Sequence, residues 1–206
     1  MEHSCCTFQT YQAMRNELRR SGLEAFKEDM IRRGIFCDDR ITCDHNPFAQ
    51  IISGRMVNPC HDRLESDQYV ILQNKPESDL HWAETSPEWV GKASMSQRHK
   101  LLSPIADHWT QFNVLTLGMD PMLGPSTALV MLDQMENLAM TYTKEHHWSG
   151  SNSGQIGLYF HCYPFNSIHT LHLHIVDLSC TGPTFDFYHY KNLPLNEVRK
   201  VLLEEI

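Results

Sequence analysis

Apolar positions spaced by three or four open the chain. Tyr11, Met14 and Leu18, then Leu23, Phe26 and Met30, predict helix over residues 7–33, interrupted at Ser21-Gly22 and stopped at Gly34. This reads as a helical hairpin packed on the rest of the chain. Asn46-Pro47 marks a boundary, and Phe48, Ile51 and Ile52 followed by Gly54 predict a short helix with a glycine cap. The pattern then changes to one that suits strands: residues 63–65 and 69–73 around Ser66-Asp67-Gln68 form a predicted β-hairpin, and residues 112–117 a third strand. Between them, residues 77–110 hold Trp82, Trp89 and Trp109 but little periodicity, and read as a long excursion, either a lid or a packed loop. Ser126 is placed to cap a helix from Thr127 to about Tyr142, with Ala128, Met131, Leu132, Met135, Leu138, Ala139 and Tyr142 on one stripe. Residues 157–161 and 168–178 read as adjacent strands, residues 185–190 as a last strand, and Leu195, Val198, Val201 and Leu202 as a terminal helix begun by Pro194. A strand-rich sheet with helices laid against it is an α+β arrangement. The expected organisation is a helical extension over 1–45 and a main domain over 46–206 with an insertion around 77–110.

Composition narrows the class. A chain of 206 residues, 41% hydrophobic and 20% charged, supports one well-buried core. No apolar run is long enough to cross a bilayer, so no membrane partner is expected. Met1-Glu2-His3-Ser4-Cys5-Cys6 has neither a basic leader nor an apolar stretch behind it, and seven cysteines without regular spacing suit reduced thiols. The expected address is the cytoplasm, or the nucleus. A formal net charge of -8 argues against general nucleic-acid binding, which needs a positive surface to displace counterions from phosphates. Any phosphate affinity is therefore local. Arg15, Arg19, Arg20, Arg32 and Arg33 lie in the first helical stretch, where mixture with Glu17, Glu24, Glu28 and Asp29 favours a solvated helix face over a phosphate-facing patch.

Thirteen histidines are many for this length, and their placement carries the chemistry. In residues 167–178, side chains of a strand alternate between faces, so Thr170, His172 and His174 share one face while Leu171, Leu173 and Ile175 point into a core. His169 begins the core-facing row. Two neighbouring imidazoles on one face can act on a phosphorus centre without a metal, one as nucleophile and the other donating to a phosphoryl oxygen or leaving atom. Ser167 is a further donor for charge spreading over those oxygens.

The run Tyr163-Pro164-Phe165-Asn166-Ser167-Ile168-His169-Thr170-Leu171-His172-Leu173-His174-Ile175 resembles the signature strand of the histidine-triad (HIT) superfamily, His-φ-His-φ-His followed by apolar residues. Its lead-in, Phe160-His161 through Pro164-Phe165 to Ser167-Ile168, is similar to the branch of histidine-triad nucleotide-binding proteins that act as adenosine monophosphoramidases. The resemblance covers roughly residues 46–180 and extends more weakly to residues 48–54 and 69–76. It implies a HIT-like fold with an antiparallel sheet, His172 as nucleophile, His174 as the third triad position, and Ser167 as the phosphate-contacting serine. Thr170 stands where the family has its first histidine. Gln73 and Asn74 stand where its ribose contact is usually an aspartate, and Asn113 where many members carry a histidine. With Asn166, Thr170 and His161 these form the expected substrate-binding set. The implied reaction is attack by His172 on the α-phosphate of a nucleotide or dinucleotide conjugate, breaking a phosphoanhydride or phosphoramidate bond through a nucleotidyl-histidine. No cofactor is expected, and homodimer formation is the family habit. Residues 1–45 and 77–110 have no counterpart in that resemblance.

Two other readings stay open. A HIT pocket that binds nucleotide without efficient turnover fits the loss of the first histidine at Thr170. A zinc enzyme using His172 and His174 as ligands, with Asp177 or His161, is the chemical rival, since His-x-His commonly binds metal. Cys37, Cys43, His45, Cys60 and His61 also invite zinc, at a spacing unusual for a finger.

Overall fold

The computed structural model describes residues 8–56, 61–64, 68–152 and 154–206. Helices α1 (Phe8–Ser21) and α2 (Leu23–Arg32) form the expected hairpin, turned at Gly22, whose φ of 97° lies in the region that suits glycine. A two-stranded ribbon, β1 (Phe36–Cys37) with β2 (Arg40–Ile41), leads to α3 (Pro47–Ile52). Asn46 begins α3, its side chain accepting from the Ala49 amide at 3.0 Å. The Arg15 guanidinium is fully buried and donates to the carbonyls of Val114, Leu115 and Leu117 while pairing with Glu205 at 2.6 Å. The five N-terminal arginines are thus spoken for: Arg19 pairs with Glu205, Arg20 with Glu17, Arg32 with Asp29, and Arg33 with Asp29 and the Tyr163 hydroxyl.

Among the described residues the sheet has six strands in the order β3-β4-β5-β7-β6-β8, every neighbouring pair antiparallel. They are β3 (His61–Leu64), β4 (Tyr69–Gln73), β5 (His99–Pro104), β6 (Ile156–His161), β7 (Leu173–Asp177) and β8 (Asn192–Pro194). The remaining helices are α4 (Pro76–Leu80), α5 (Gly124–Glu145), α6 (Pro183–Phe187) and α7 (Leu195–Glu204). The molecule is therefore α+β with an antiparallel sheet. Among the described residues no helix is long and apolar enough to cross a membrane.

One sheet face is dry core. Ile71, Leu102, Leu173 and Ile175 meet Leu132, Met135 and Ala139 of α5 and Val198, Val201 and Leu202 of α7. Tyr11, Leu18 and Met30 of the N-terminal hairpin belong to the same cluster. The opposite face is read off the register: Leu72, Leu101, His174, Tyr159 and Pro194 lie in one row across five strands. Helix α3 covers only part of it, with Phe48 and Ile51 on Val70, Leu72 and Leu101. The rest of that face carries the histidines.

Five expectations are corrected. Residues 112–117 are a buried turn, because Asn113 Oδ1 accepts from the Leu115 amide, Thr116 Oγ1 from the Asn113 amide, and Arg15 takes three of the carbonyls, which leaves no free ladder. The third strand is instead β5, inside the stretch that lacked periodicity, since a strand buried on both faces does not alternate. Residues 185–190 form no strand: Pro183 after Gly182 starts α6, and β8 follows it. The strand expected over 168–178 is β7 alone, five residues long, with residues 167–172 in a braced loop before it. Helix α5 also starts at Gly124 with Pro125 in its first turn and makes no side-chain cap through Ser126.

Candidate functional site

The loop before β7 is fixed by backbone bonds to its surroundings. The Leu171 amide donates to the Gln111 carbonyl at 3.0 Å, the Ser103 hydroxyl to the Leu171 carbonyl at 2.8 Å, and Asn113 Nδ2 to the carbonyls of His161 and His169 at 3.3 Å. These hold His172 at the mouth of the strand, next to Phe48 with ring centres 5.6 Å apart. Leu171, Leu173 and Ile175 enter the core as the alternation requires, which turns His172 and His174 to the other face.

Two further imidazoles join them. His99 of β5 sits opposite Val176, two pairs along from the Leu101–His174 pair and so on the same face, and His161 of β6 packs tilted against His174 with centroids 4.0 Å apart. His99, His161, His172 and His174 are each buried, between 5% and 7% exposed.

Three of the rings are linked in a chain with one possible sense. The Met95 amide and Asn74 Nδ2 both donate to His99 Nδ1, at 3.3 and 2.8 Å, so that nitrogen is an acceptor. His99 Nε2–H then donates to His174 Nδ1 at 2.9 Å, and His174 Nε2–H to His172 Nε2 at 3.1 Å. His172 Nδ1–H donates to the Thr170 carbonyl at 2.6 Å. A backbone donor at one end and a backbone acceptor at the other assign one proton to each ring, so all three are neutral with defined tautomers. Electrostatics agree: burial pushes His172 down to about 4 and His99 to about 3, and holds His174 and His161 well below the usual range. Nearby positive charge, including that of Lys191, acts in the same direction on His161, His172 and His174.

The other expected site residues divide. Asn74 reaches the site as support, holding His99 and the Ser94 hydroxyl. Ser167 is exposed in the loop ahead of His172, and Asn166 is buried beside it, its Nδ2 on the Ile168 carbonyl. Gln73 is not brought in: paired with Lys100, it points to the face opposite His174, because strand parity separates it from Leu72. Thr170 is fully buried with its hydroxyl on the His45 carbonyl, so it offers no hydroxyl to a ligand. Asn113 has its whole amide engaged by backbone, its Oδ1 accepting from Leu115 and Tyr163, and acts as a brace. Asp177 lies at the far end of β7, tied to Ser149, Gly150 and Ser179, so the metal set with His172 and His174 that included it does not form. Among the described residues no group of three or more His, Cys, Asp or Glu side chains is placed to hold a metal ion. Of the proposed cysteine cluster, Cys60 and the side chain of His61 lie outside the described residues.

His99 and Lys191 were not visible from sequence. His99 lies at the start of a strand with no alternation, and Lys191 near the chain end, 17 positions after His174. Comparison with protein-family models and with curated proteins found no match to this chain.

Proposed function

We propose that this protein is a histidine-triad-like hydrolase or transferase that cleaves nucleotide conjugates at the α-phosphate. The observation that carries the reading is the directional imidazole chain: it keeps His172 neutral, with its proton on Nδ1 and its lone pair on Nε2, where an attacking nitrogen needs it.

With substrate bound, His174 Nε2–H turns from His172 to a phosphoryl oxygen, and His172 Nε2 attacks phosphorus. The new N–P bond forms as the bond from phosphorus to the leaving atom breaks, and the leaving group departs with that electron pair. A phosphate leaves as the anion; an amine takes a proton from water. The histidine becomes cationic, and its Nδ1–H on the Thr170 carbonyl stabilises that charge. Water then attacks the phosphorus, loses a proton to solvent, and releases the nucleoside monophosphate and neutral His172. The signature-like run from Tyr163 to Ile175 and its lead-in support the nucleotide as the group carried.

The test is release of nucleoside monophosphate from adenylyl and guanylyl phosphoramidates, dinucleoside polyphosphates and cap analogues, with chelator present. Turnover is expected in the wild type and to fall at least about a thousandfold in His172→Ala. Turnover that vanishes with chelator alone favours the zinc reading. The buried, engaged hydroxyl of Thr170 favours one second reading, a protein that binds nucleotide without turning it over; binding with no release across the panel identifies it.

A further inference from the structure

Lys191 is 4% exposed and its ammonium lies 3.5 Å from the centre of the Tyr188 ring. Among the described residues no carboxylate or carbonyl accepts a hydrogen bond from it. The stem of the side chain is enclosed while the ammonium keeps a ring face and a path to solvent, and burial holds its pKa down to about 8. The position is set firmly: Tyr188 donates its hydroxyl to the Gly91 carbonyl and lies edge-on to His161, with centroids 5.6 Å apart. With its ammonium on the ring that meets His161, and its neighbour Asn192 paired with His161 in the sheet, Lys191 lies at the rim of the histidine face.

The next residue carries a donor with an unmet need. Asn192 is 8% exposed and stands opposite His161 in the sheet, with its Oδ1 accepting from His161 Nε2 at 2.8 Å. Among the described residues its buried Nδ2 has no hydrogen-bond partner. Among the described residues, two adjacent residues therefore present donors without acceptors beside His161, which packs against His174; the His174 Nε2–H, held by His172 here, is a third donor once it turns to a ligand. A group with several diverging anionic oxygens satisfies all of them together.

We propose that Lys191 and Asn192 form an anion subsite at the edge of the histidine face, taking a phosphoryl oxygen of the ligand. This rests on the nucleotide reading only for the identity of the ligand that carries the phosphate. The position is a binding and specificity element separate from the nucleophile, and it supplies positive charge to a protein of net charge -8.

The test is calorimetric titration of inorganic phosphate, AMP and adenosine into the full chain at pH 7 and fixed ionic strength, for the wild type, Lys191→Met, Lys191→Arg and Asn192→Asp. Thermal melts establish that each variant is folded, and Lys191→Met is expected to melt no lower than the wild type because it removes a charge that burial disfavours. Lys191→Met and Asn192→Asp are each expected to weaken phosphate and AMP at least about tenfold and leave adenosine unchanged, while Lys191→Arg retains most of the affinity. Phosphate and AMP affinities unchanged in Lys191→Met and Asn192→Asp overturn the subsite, as does a wild type that binds no phosphate. If Lys191→Met fails to fold, Asn192→Asp gives the same reading. Phosphate binding that depends on Lys191, in a protein that turns over no member of the conjugate panel, leaves the subsite standing and removes the proposed reaction.

Discussion

His172 owes its state to the two bonds its own ring makes. The carbonyl of Thr170 holds the proton on Nδ1, and the N–H of His174 arrives at Nε2, so neither nitrogen is free to choose. The prediction at this scale is spectroscopic: 15N NMR of the histidine rings at pH 7 will show His172 protonated on Nδ1, and His99 and His174 on Nε2. None of the three will titrate near 6.5 while the protein stays folded, because burial lowers each below that value. An Nε2-protonated His172 would sink the nucleophile assignment. Thr170 shows why residue type alone misleads: as a hydroxyl on the chemical face it invites a ligand, but the His45 carbonyl, 125 positions away in sequence, takes it.

At the scale of elements, periodicity found the helices well because each buries one stripe. The hairpin of α1 and α2, the short α3, the long α5 and the terminal α7 all follow their apolar spacing. It failed where the backbone found partners other than a ladder, as in residues 112–117, and where a strand is buried on both sides, as in β5. Arg15 binds these elements together, joining α1 to the 112–117 turn and to Glu205 just after α7. Arg15→Leu leaves the carbonyls of Leu115 and Leu117 without their donor and Glu205 with Arg19 as its remaining partner, and is expected to cost about 2 to 4 kcal/mol in urea unfolding. A loss under about 1 kcal/mol would show that solvent or a shift of α1 satisfies these groups instead.

For the whole molecule, four neutral imidazoles sealed on one sheet face set the acid limit of stability. Their folded pKa values lie below the unfolded value near 6.5, so between those limits the unfolded chain binds more protons and stability rises with pH. The contribution is fully present above about pH 6.5 and is lost as pH falls toward 4 for His172 and 3 for His99. His172 alone accounts for about 3 kcal/mol over that range. Urea unfolding should therefore show a stability loss that begins below pH 6.5, before the carboxylates titrate, and a flat profile from pH 7 to 5 would contradict a neutral buried cluster.

By itself, the sequence determined the secondary-structure class and the facing of the central pair. Once Leu171, Leu173 and Ile175 are committed to core, the alternation of the chain leaves His172 and His174 no other side. Only the tertiary structure decided which groups meet them. His99 comes from 75 positions upstream of His174 because β5 lies beside β7, and His161 because β6 lies on the other side. Lys191 and Asn192 arrive because β8 closes the sheet against β6. Strand order across a sheet rests on long-range burial and hydrogen bonding summed over the molecule, and no local pattern of residues encodes it.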